Sequence, residues 1–178
     1  MSADELRQLQ APLKARYKED PRSALVTLRA VGRVTQSTIT CAIETGKPGV
    51  PAGLHPAAGG DGLAACSGDM LLEALVGCAG VTLAAVATAM GIELKTALVS
   101  AEGELDFRGT LGVARDVPVG FSRIRLLFEI ESETPADKLE KLVELTERYC
   151  VVFKTLSEAP AIEVRTRVGA DYAPEPGG

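Results

Sequence analysis

Two stretches of the chain alternate between apolar and polar positions. Over residues 95–108, Ala97, Val99, Ala101, Leu105 and Phe107 fall on one face, and Ser100, Glu102, Glu104, Asp106 and Arg108 on the other. That period of two predicts a strand with one wetted side. Residues 121–131 repeat it, with Ile124, Leu126, Phe128 and Ile130 facing inward. Residues 24–34, ALVTLRAVGRV, predict a further strand, and residues 37–44 its partner across a polar turn, with Ile39, Cys41 and Ile43 on one face. AIEVRTRV, residues 161–168, predicts a final strand before the loose tail YAPEPGG.

Helical spacing marks three other segments. Leu6, Leu9 and Leu13 predict an exposed amphipathic helix over residues 3–19, ended by Pro21. A second helix is expected from about Ser67 to Met90, with Ser67 and Asp69 as caps and a stop at Gly91. Thr134-Pro135 opens a third, whose buried stripe is Leu139, Leu142, Val143, Thr146, Tyr149, Cys150 and Phe153. After the N-terminal helix the order is β-β-α-β-β-α-β, which predicts an α+β fold with antiparallel sheets packed on two long helices. The expected layout is a helical extension over residues 1–22, one domain over 23–170 and a flexible tail over 171–178.

Residues 74–92, ALVGCAGVTLAAVATAMGI, carry no charge and are long enough to cross a bilayer of about 30 Å. Glu73 and Glu93 bracket the run, however, its ends lack Lys, Arg, Trp and Tyr anchors, and its residues are mostly small. A helix apolar on every side is also what the centre of a soluble fold requires, so it is read as a core helix and no membrane partner is expected. Residues 45–66, TGKPGVPAGLHPAAGGDGLAAC, form a Gly/Pro-rich loop longer than a simple connection needs.

Composition narrows the chemistry. Among 178 residues, 46% are apolar and 24% charged, an ordinary globular balance. The net charge of −5 argues against nucleic acid as a partner. Three Tyr, four Phe and no Trp leave few stacking platforms, so the core is built from small aliphatic residues. The single His removes most metal-site and Ser-His-Asp readings, and no metal or other cofactor is expected. The charged N-terminal stretch predicts no secretory signal and hence a cytoplasmic location, where Cys41, Cys66, Cys78 and Cys150 stay reduced.

Each cysteine has a bland reading and a reactive one. Cys41, mid-strand on an apolar face, reads as a small core residue. Cys66 precedes a helix N-terminus, where the dipole can lower a thiol pKa, although an incidental role fits its position equally. Cys78 lies between Gly77 and Ala79, so another element can approach its sulfur closely. Cys150 projects from the stripe of the other long helix, 72 residues later. The two could meet as a redox dithiol, or each could be a buried core residue; spacing alone does not decide. GGDG (residues 59–62) is no phosphate loop, and His55 reads as a loop hydrogen-bonder rather than a base.

The segment SGDMLLEALVGCAGVTLAAVATAMGIEL resembles the cysteine-bearing central helix of the OsmC/Ohr proteins, the osmotically inducible and organic hydroperoxide resistance family. ERYCVVFKTL is similar to the family's second cysteine segment, with Val151 where Pro is common, and the order of elements also matches over roughly residues 24–168. The resemblance implies an intertwined homodimer and thiol-dependent reduction of organic hydroperoxides, with a dithiol as reductant. It assigns Cys78 as the peroxidatic and Cys150 as the resolving cysteine, as in antioxidant stress-response proteins. It further implies an Arg over the sulfur, best matched by Arg33 with Arg29 as the fallback, held by an acid near the start of the central helix. The family's acid falls ten residues before the cysteine, where this chain has Gly68; Asp69 follows it, and Glu73 is the nearer candidate. That displacement and the missing Pro support an alternative, an OsmC-like stress or binding protein with the fold but little or no peroxidase activity.

Overall fold

The structure is a computed structural model and describes residues 3–38, 40–43, 52–63, 65–164 and 166. Helix α1 (Ala3–Glu19) forms where the Leu spacing predicts it. A 3-10 turn over Pro21–Ala24 follows, opened by Asp20, whose carboxylate accepts the Arg22 N–H at 3.0 Å. Strands β1 (Leu25–Thr35) and β2 (Thr40–Ile43) make the expected antiparallel pair across a 3-10 turn at Gln36–Thr38. Within the long loop, β3 (Ala52–Gly53) and β4 (Ala65–Cys66) form a short parallel pair on either side of a 3-10 turn at Pro56–Ala58. Helix α2 (Ser67–Met90) then crosses the molecule and ends at Gly91, whose φ of 66° is the left-handed closure that glycine adopts most readily.

Strand β5 (Thr96–Asp106) leads through a single helical turn, α3 (Phe107–Thr110), towards β6 (Phe121–Glu131). Three 11-residue strands and the short β2 make one antiparallel sheet in the order β2-β1-β5-β6. Helices α4 (Ala136–Tyr149) and α5 (Val151–Ser157) complete the described elements. The α+β class is therefore as expected, and several details are not. The second long helix is broken at Cys150, and Tyr149, assigned to its buried stripe, is 58% exposed. Ser67 and Asp69 do not cap α2, because Cys66 takes the N-cap position without a side-chain bond; Pro135, not Thr134, takes it in α4. Residues 161–164 form no strand, and Ile162 and Val164 stand 85% and 83% exposed. An alternating pattern is not a strand until an edge pairs with it. Ser100, placed on the wetted side of β5, is buried, and Phe107 leaves that strand for α3.

Helix α2 is the centre of the main core, as its residues predict. Leu72, Leu75, Val76, Ala79, Leu83 and Ala87 recur at three- and four-residue intervals and pack on Ala97, Val99 and Ala101 of the sheet and on Leu142 and Cys150. Each fully buried Leu among them contributes about 1.5–3 kcal/mol. The helix is long and apolar enough to cross a membrane, but 44% of its most apolar window is buried by the rest of this chain. Leu71 and Val81 lie on its outer side, 38% and 40% exposed.

A second, smaller core gathers Tyr17, Ala24, Ala58, Phe107 and Leu111. Here the N-terminal helix is pinned to the long loop: the Tyr17 hydroxyl donates to the Ala57 carbonyl at 2.7 Å, and Gln10 Nε2 to the Ala58 carbonyl at 3.2 Å. The loop closes tightly at Gly60, where a Cβ would stand 1.7 Å from the Leu54 oxygen. Thus Tyr17, fully buried, makes α1 less exposed than its leucines alone suggest.

Gln36 is a staple between the hairpin turn and the end of α2. Its Nε2 donates to the Ile92 carbonyl at 2.8 Å, and its Oε1 accepts the Leu94 N–H at 3.2 Å. Replacing it with Ala leaves two partly buried backbone groups unpartnered, a loss of about 1–3 kcal/mol. The melting midpoint of Gln36→Ala is expected to fall by roughly 2–12 °C; an unchanged midpoint would remove the staple from the stability argument.

A candidate dithiol site

Three elements converge on Cys78. It sits near the middle of α2, half-buried, with Gly77 and Ala79 as its chain neighbours. The small side chains around it admit α4 and α5, which pack on the same helix. Cys150 lies at the junction of those two helices, 1% exposed.

The break at Cys150 builds the site. With φ −71° and ψ 109° the residue leaves helical geometry, closing α4 and opening α5 at once. Its N–H still donates to the Thr146 carbonyl at 2.9 Å, while its sulfur accepts the Phe153 N–H at 3.5 Å as the N-cap of α5. The next two residues, Val151 and Val152, are β-branched and favour helix interiors less than straight-chain residues do. The first N–H groups of any helix have no carbonyl partner within it. Here the N–H groups of Val151 and Val152 point at the sulfur of Cys78.

Those contacts decide which sulfur carries charge. Burial alone would raise the Cys78 pKa. The Val152 N–H, the Cys150 thiol, the Val151 N–H and the Thr82 hydroxyl all bond to its sulfur and outweigh burial, so the thiol is more acidic than usual. The Thr82 hydroxyl also reaches the Cys78 carbonyl, at 2.7 Å. For Cys150 burial dominates, the Phe153 N–H opposes it only in part, the neighbouring Cys78 adds to it, and the pKa is pushed up to about 11. When the pair loses one proton, the charge therefore falls on Cys78 and the remaining proton stays on Cys150. An exposed or accessible thiolate with a protonated thiol hydrogen-bonded to it can attack a soft electrophile and then be captured as a disulfide.

The other candidates lie elsewhere. Strand β1 keeps unbroken register with β5 from Leu25 to Arg33, and Val26 and Val34 both pack on the α2-centred core. Strand alternation puts Arg33, which is exposed, on the opposite face of the sheet from Cys78. So within one chain the structure does not bring Arg33 to the sulfur. Glu73 is half-buried on α2, five residues before Cys78, which turns it about 140° around the helix from the cysteine. The side chains of Arg29 and Cys41 lie outside the described residues. Cys66 is twelve residues from Cys78 on one helix axis, about 18 Å away, so it is not the second member of the pair.

Asp69 has a different partner. Burial raises its carboxyl pKa and the nearby His55 partly offsets that, while burial lowers the His55 pKa in turn. The His55 ring stacks on Phe107, centroids 5.0 Å apart, and its Nδ1 accepts the Ala57 N–H at 3.0 Å. His55 is thus the loop hydrogen-bonder expected from its setting, and the acid nearest Gly68 faces it rather than an arginine.

Sequence reasoning missed the helix break and with it the two valine N–H groups. The one available signal was the Cys-Val-Val run inside an otherwise helical pattern.

Comparison with known proteins gives a consistent result. The family model described as OsmC-like protein matches residues 59–165, which include both cysteines of the pair. No curated protein matches the sequence. Among solved structures, an OsmC-like hydroperoxide resistance protein from Jannaschia sp. CCS1 superposes with a TM-score of 0.58 at 18% identity, over 83% of this chain and 96% of that one. An OsmC-like protein from Mycoplasma pneumoniae superposes with a TM-score of 0.52 at 16% identity, over 76% of this chain and 86% of that one.

Proposed function

Because the chain belongs to the OsmC-like protein family, we propose that its Cys78–Cys150 pair reduces organic hydroperoxides in a reducing, cytoplasmic setting. The observation that carries this reading is the hydrogen-bonded pair itself, in which the more acidic thiol is the more accessible one. The Cys78 thiolate attacks one peroxide oxygen; the O–O bond breaks and the alkoxide leaves, taking a proton to become the alcohol. Cys78 is then a sulfenic acid. Cys150 attacks its sulfur, an S–S bond forms, the S–O bond breaks and water departs. A dithiol returns the pair to its starting state. The chemistry asks for no metal and no organic cofactor.

A homodimer belongs to the same reading. The outer side of α2 exposes Leu71 and Val81, and Tyr149 and Val151 beside the dithiol are 58% and 70% exposed. Apolar surface of this kind favours cover by a second copy. A second copy would also supply Arg33 of the partner subunit to the sulfur, which one chain alone does not.

The alternative, an OsmC-like stress or binding protein without turnover, rests on the acid. Asp69 faces His55 and Glu73 turns away from Cys78, so no carboxylate of α2's first turns is aimed at an arginine over the sulfur. One equivalent of cumene hydroperoxide separates the two. Peptide mass spectrometry is expected to find Cys78 joined to Cys150 within seconds; a chain that leaves both as thiols, or stops at over-oxidised Cys78, is not a two-cysteine peroxidase.

A further inference from the structure

His55 is the one histidine in the chain, and it stands between the Pro56–Ala58 turn, α3 and the first turn of α2. It is the N-cap of the Pro56–Ala58 turn. Its Nδ1 accepts the Ala57 N–H at 3.0 Å, and its carbonyl accepts the N–H groups of Ala58 and Gly60 at 2.8 and 3.1 Å. The same turn is what α1 holds on to, since the Ala57 carbonyl takes the Tyr17 hydroxyl and the Ala58 carbonyl takes Gln10. The imidazole ring lies on Phe107, which with Tyr17 and Ala58 belongs to the second core. One ring nitrogen thus orders the segment through which the N-terminal helix is attached.

A ring nitrogen that accepts a hydrogen bond carries no proton, whereas an imidazolium has two donors and no acceptor. Protonation of His55 therefore turns Nδ1 from the partner of the Ala57 N–H into a second donor facing it. The ordinary histidine pKa of about 6.5 puts that change within reach of mild acid.

We propose that His55 is a pH-operated latch: its neutral ring holds the turn against which α1 packs, and uptake of a proton releases that turn and α1. The surrounding groups set the sign. Burial disfavours the cation, the Asp69 carboxylate of α2 favours it, and burial is the larger effect, so the His55 pKa is lowered. From α3 comes the apolar ring of Phe107, while Asp106 and Arg108 are paired with each other. From α1 comes Tyr17, its hydroxyl engaged on Ala57, with Arg16 beside it. In the loop, the Asp61 carboxylate is turned to the Leu63 N–H.

A folded pKa below the unfolded one means that the released form binds more protons. The latch is therefore fully closed above pH of about 6.5 and weakens as pH falls from there towards the folded pKa. Asp69 works the other way. Its pKa is raised by burial, so the closed form holds that proton more tightly, and acid that reaches Asp69 favours closure. Release by acid is thus a signature of His55 and not of its neighbour. Asp69 is nine residues before Cys78, about 180° around α2. The latch lies across the helix from the dithiol and from the face a second copy would cover, and it uses neither cysteine.

Trypsin cleavage after Arg16, next to the buried Tyr17, reads the latch, because a packed helix is cut from its released form. Rates are measured on the full chain between pH of about 7.5 and 5.5. Each is divided by the rate for the free peptide of residues 3–24 at the same pH, which removes the protease's own pH dependence. The quotient is expected to rise by up to about tenfold for each pH unit below about 6.5. Cleavage after Arg125 of β6, treated in the same way, should show no such rise. In His55→Asn the side-chain oxygen caps the same N–H without titrating, and the Arg16 quotient should be flat. The single imidazole signal in the proton magnetic resonance spectrum should titrate below about 6.5. A flat quotient in the unaltered chain, an equal rise in His55→Asn, an equal rise after Arg125, or a His55 midpoint above that value each overturns the latch. None of these readouts depends on peroxidase activity.

Discussion

Cys78→Ser is expected to lower hydroperoxide turnover by roughly 10³-fold or more, because a serine hydroxyl in the same place is neither ionised nor a soft nucleophile. Cys150→Ala should behave differently. It keeps the attacking sulfur, so one equivalent of peroxide is still consumed, and turnover then stalls for want of a resolving thiol. Its pH profile carries the sharper information. A thiol reacts as its thiolate, so the rate rises as pH climbs through the Cys78 pKa, and a lowered pKa moves that rise below the ordinary thiol value of about 8.5. The Cys150 thiol is one of the donors that holds the pKa down. Removing it in Cys150→Ala should move the midpoint of the alkylation profile upward, while Cys66, outside the pair, serves as the internal reference. If Cys78→Ser turns over at the normal rate, the site lies elsewhere. If the midpoint in Cys150→Ala stays put, the two sulfurs do not share a proton.

Oxidation of the pair is expected to stabilise the fold by about 4 kcal/mol, the chain-entropy value for closing a loop of this length. The two cysteines are 72 residues apart, and a bond between them joins the middle of α2 to the junction of α4 and α5. For a chain of this size that corresponds to a rise in melting temperature of roughly 8–16 °C. The two thiols already share a hydrogen bond, so the new bond closes between neighbours. Calorimetry of the diamide-treated chain, with and without reductant, measures it directly. Cys150→Ser should show no such difference. A melting temperature that falls on oxidation would mean that closing the bond distorts the helices more than it constrains the unfolded chain.

Much of the fold was legible because its signals were local. Residues 96–106 and 121–131 alternate over most of their length, interrupted at Leu98 and Leu127, and α2 ends on a glycine that adopts the left-handed conformation. The surroundings of Cys78 and Cys150 left a redox pair and two buried core residues both open; the resemblance to the OsmC/Ohr segments chose the pair, and the structure brings the two together. What was not legible depends on distant residues. The stripe from Leu139 to Phe153 keeps helical spacing straight through Cys150, so the periodicity runs on where the backbone does not. Asp69 reads as a helix cap, but Cys66 takes that position, and the charge Asp69 lies near is His55, fourteen residues earlier and in another element. The segment after Pro160 alternates as a strand should, but alternation says nothing about whether an edge is there to meet it. Arg33 is the instructive middle case: since Val34 is a core residue, parity along the strand already sends its neighbour to the far side of the sheet.

The second core has a consequence for how the molecule comes apart. Among the described residues it shares Val26 with the main core, and the two otherwise draw on separate sets. Two clusters joined so narrowly behave as separable cooperative units, each with its own opening equilibrium. The unit holding α1, the loop turn at Pro56–Ala58 and α3 is the smaller, and its closure depends on the Tyr17 and Gln10 bonds to the loop. It can open while α2 stays seated on the sheet. The N-terminal end would then exchange its amide protons early, in a molecule whose Cys78–Cys150 contact remains assembled.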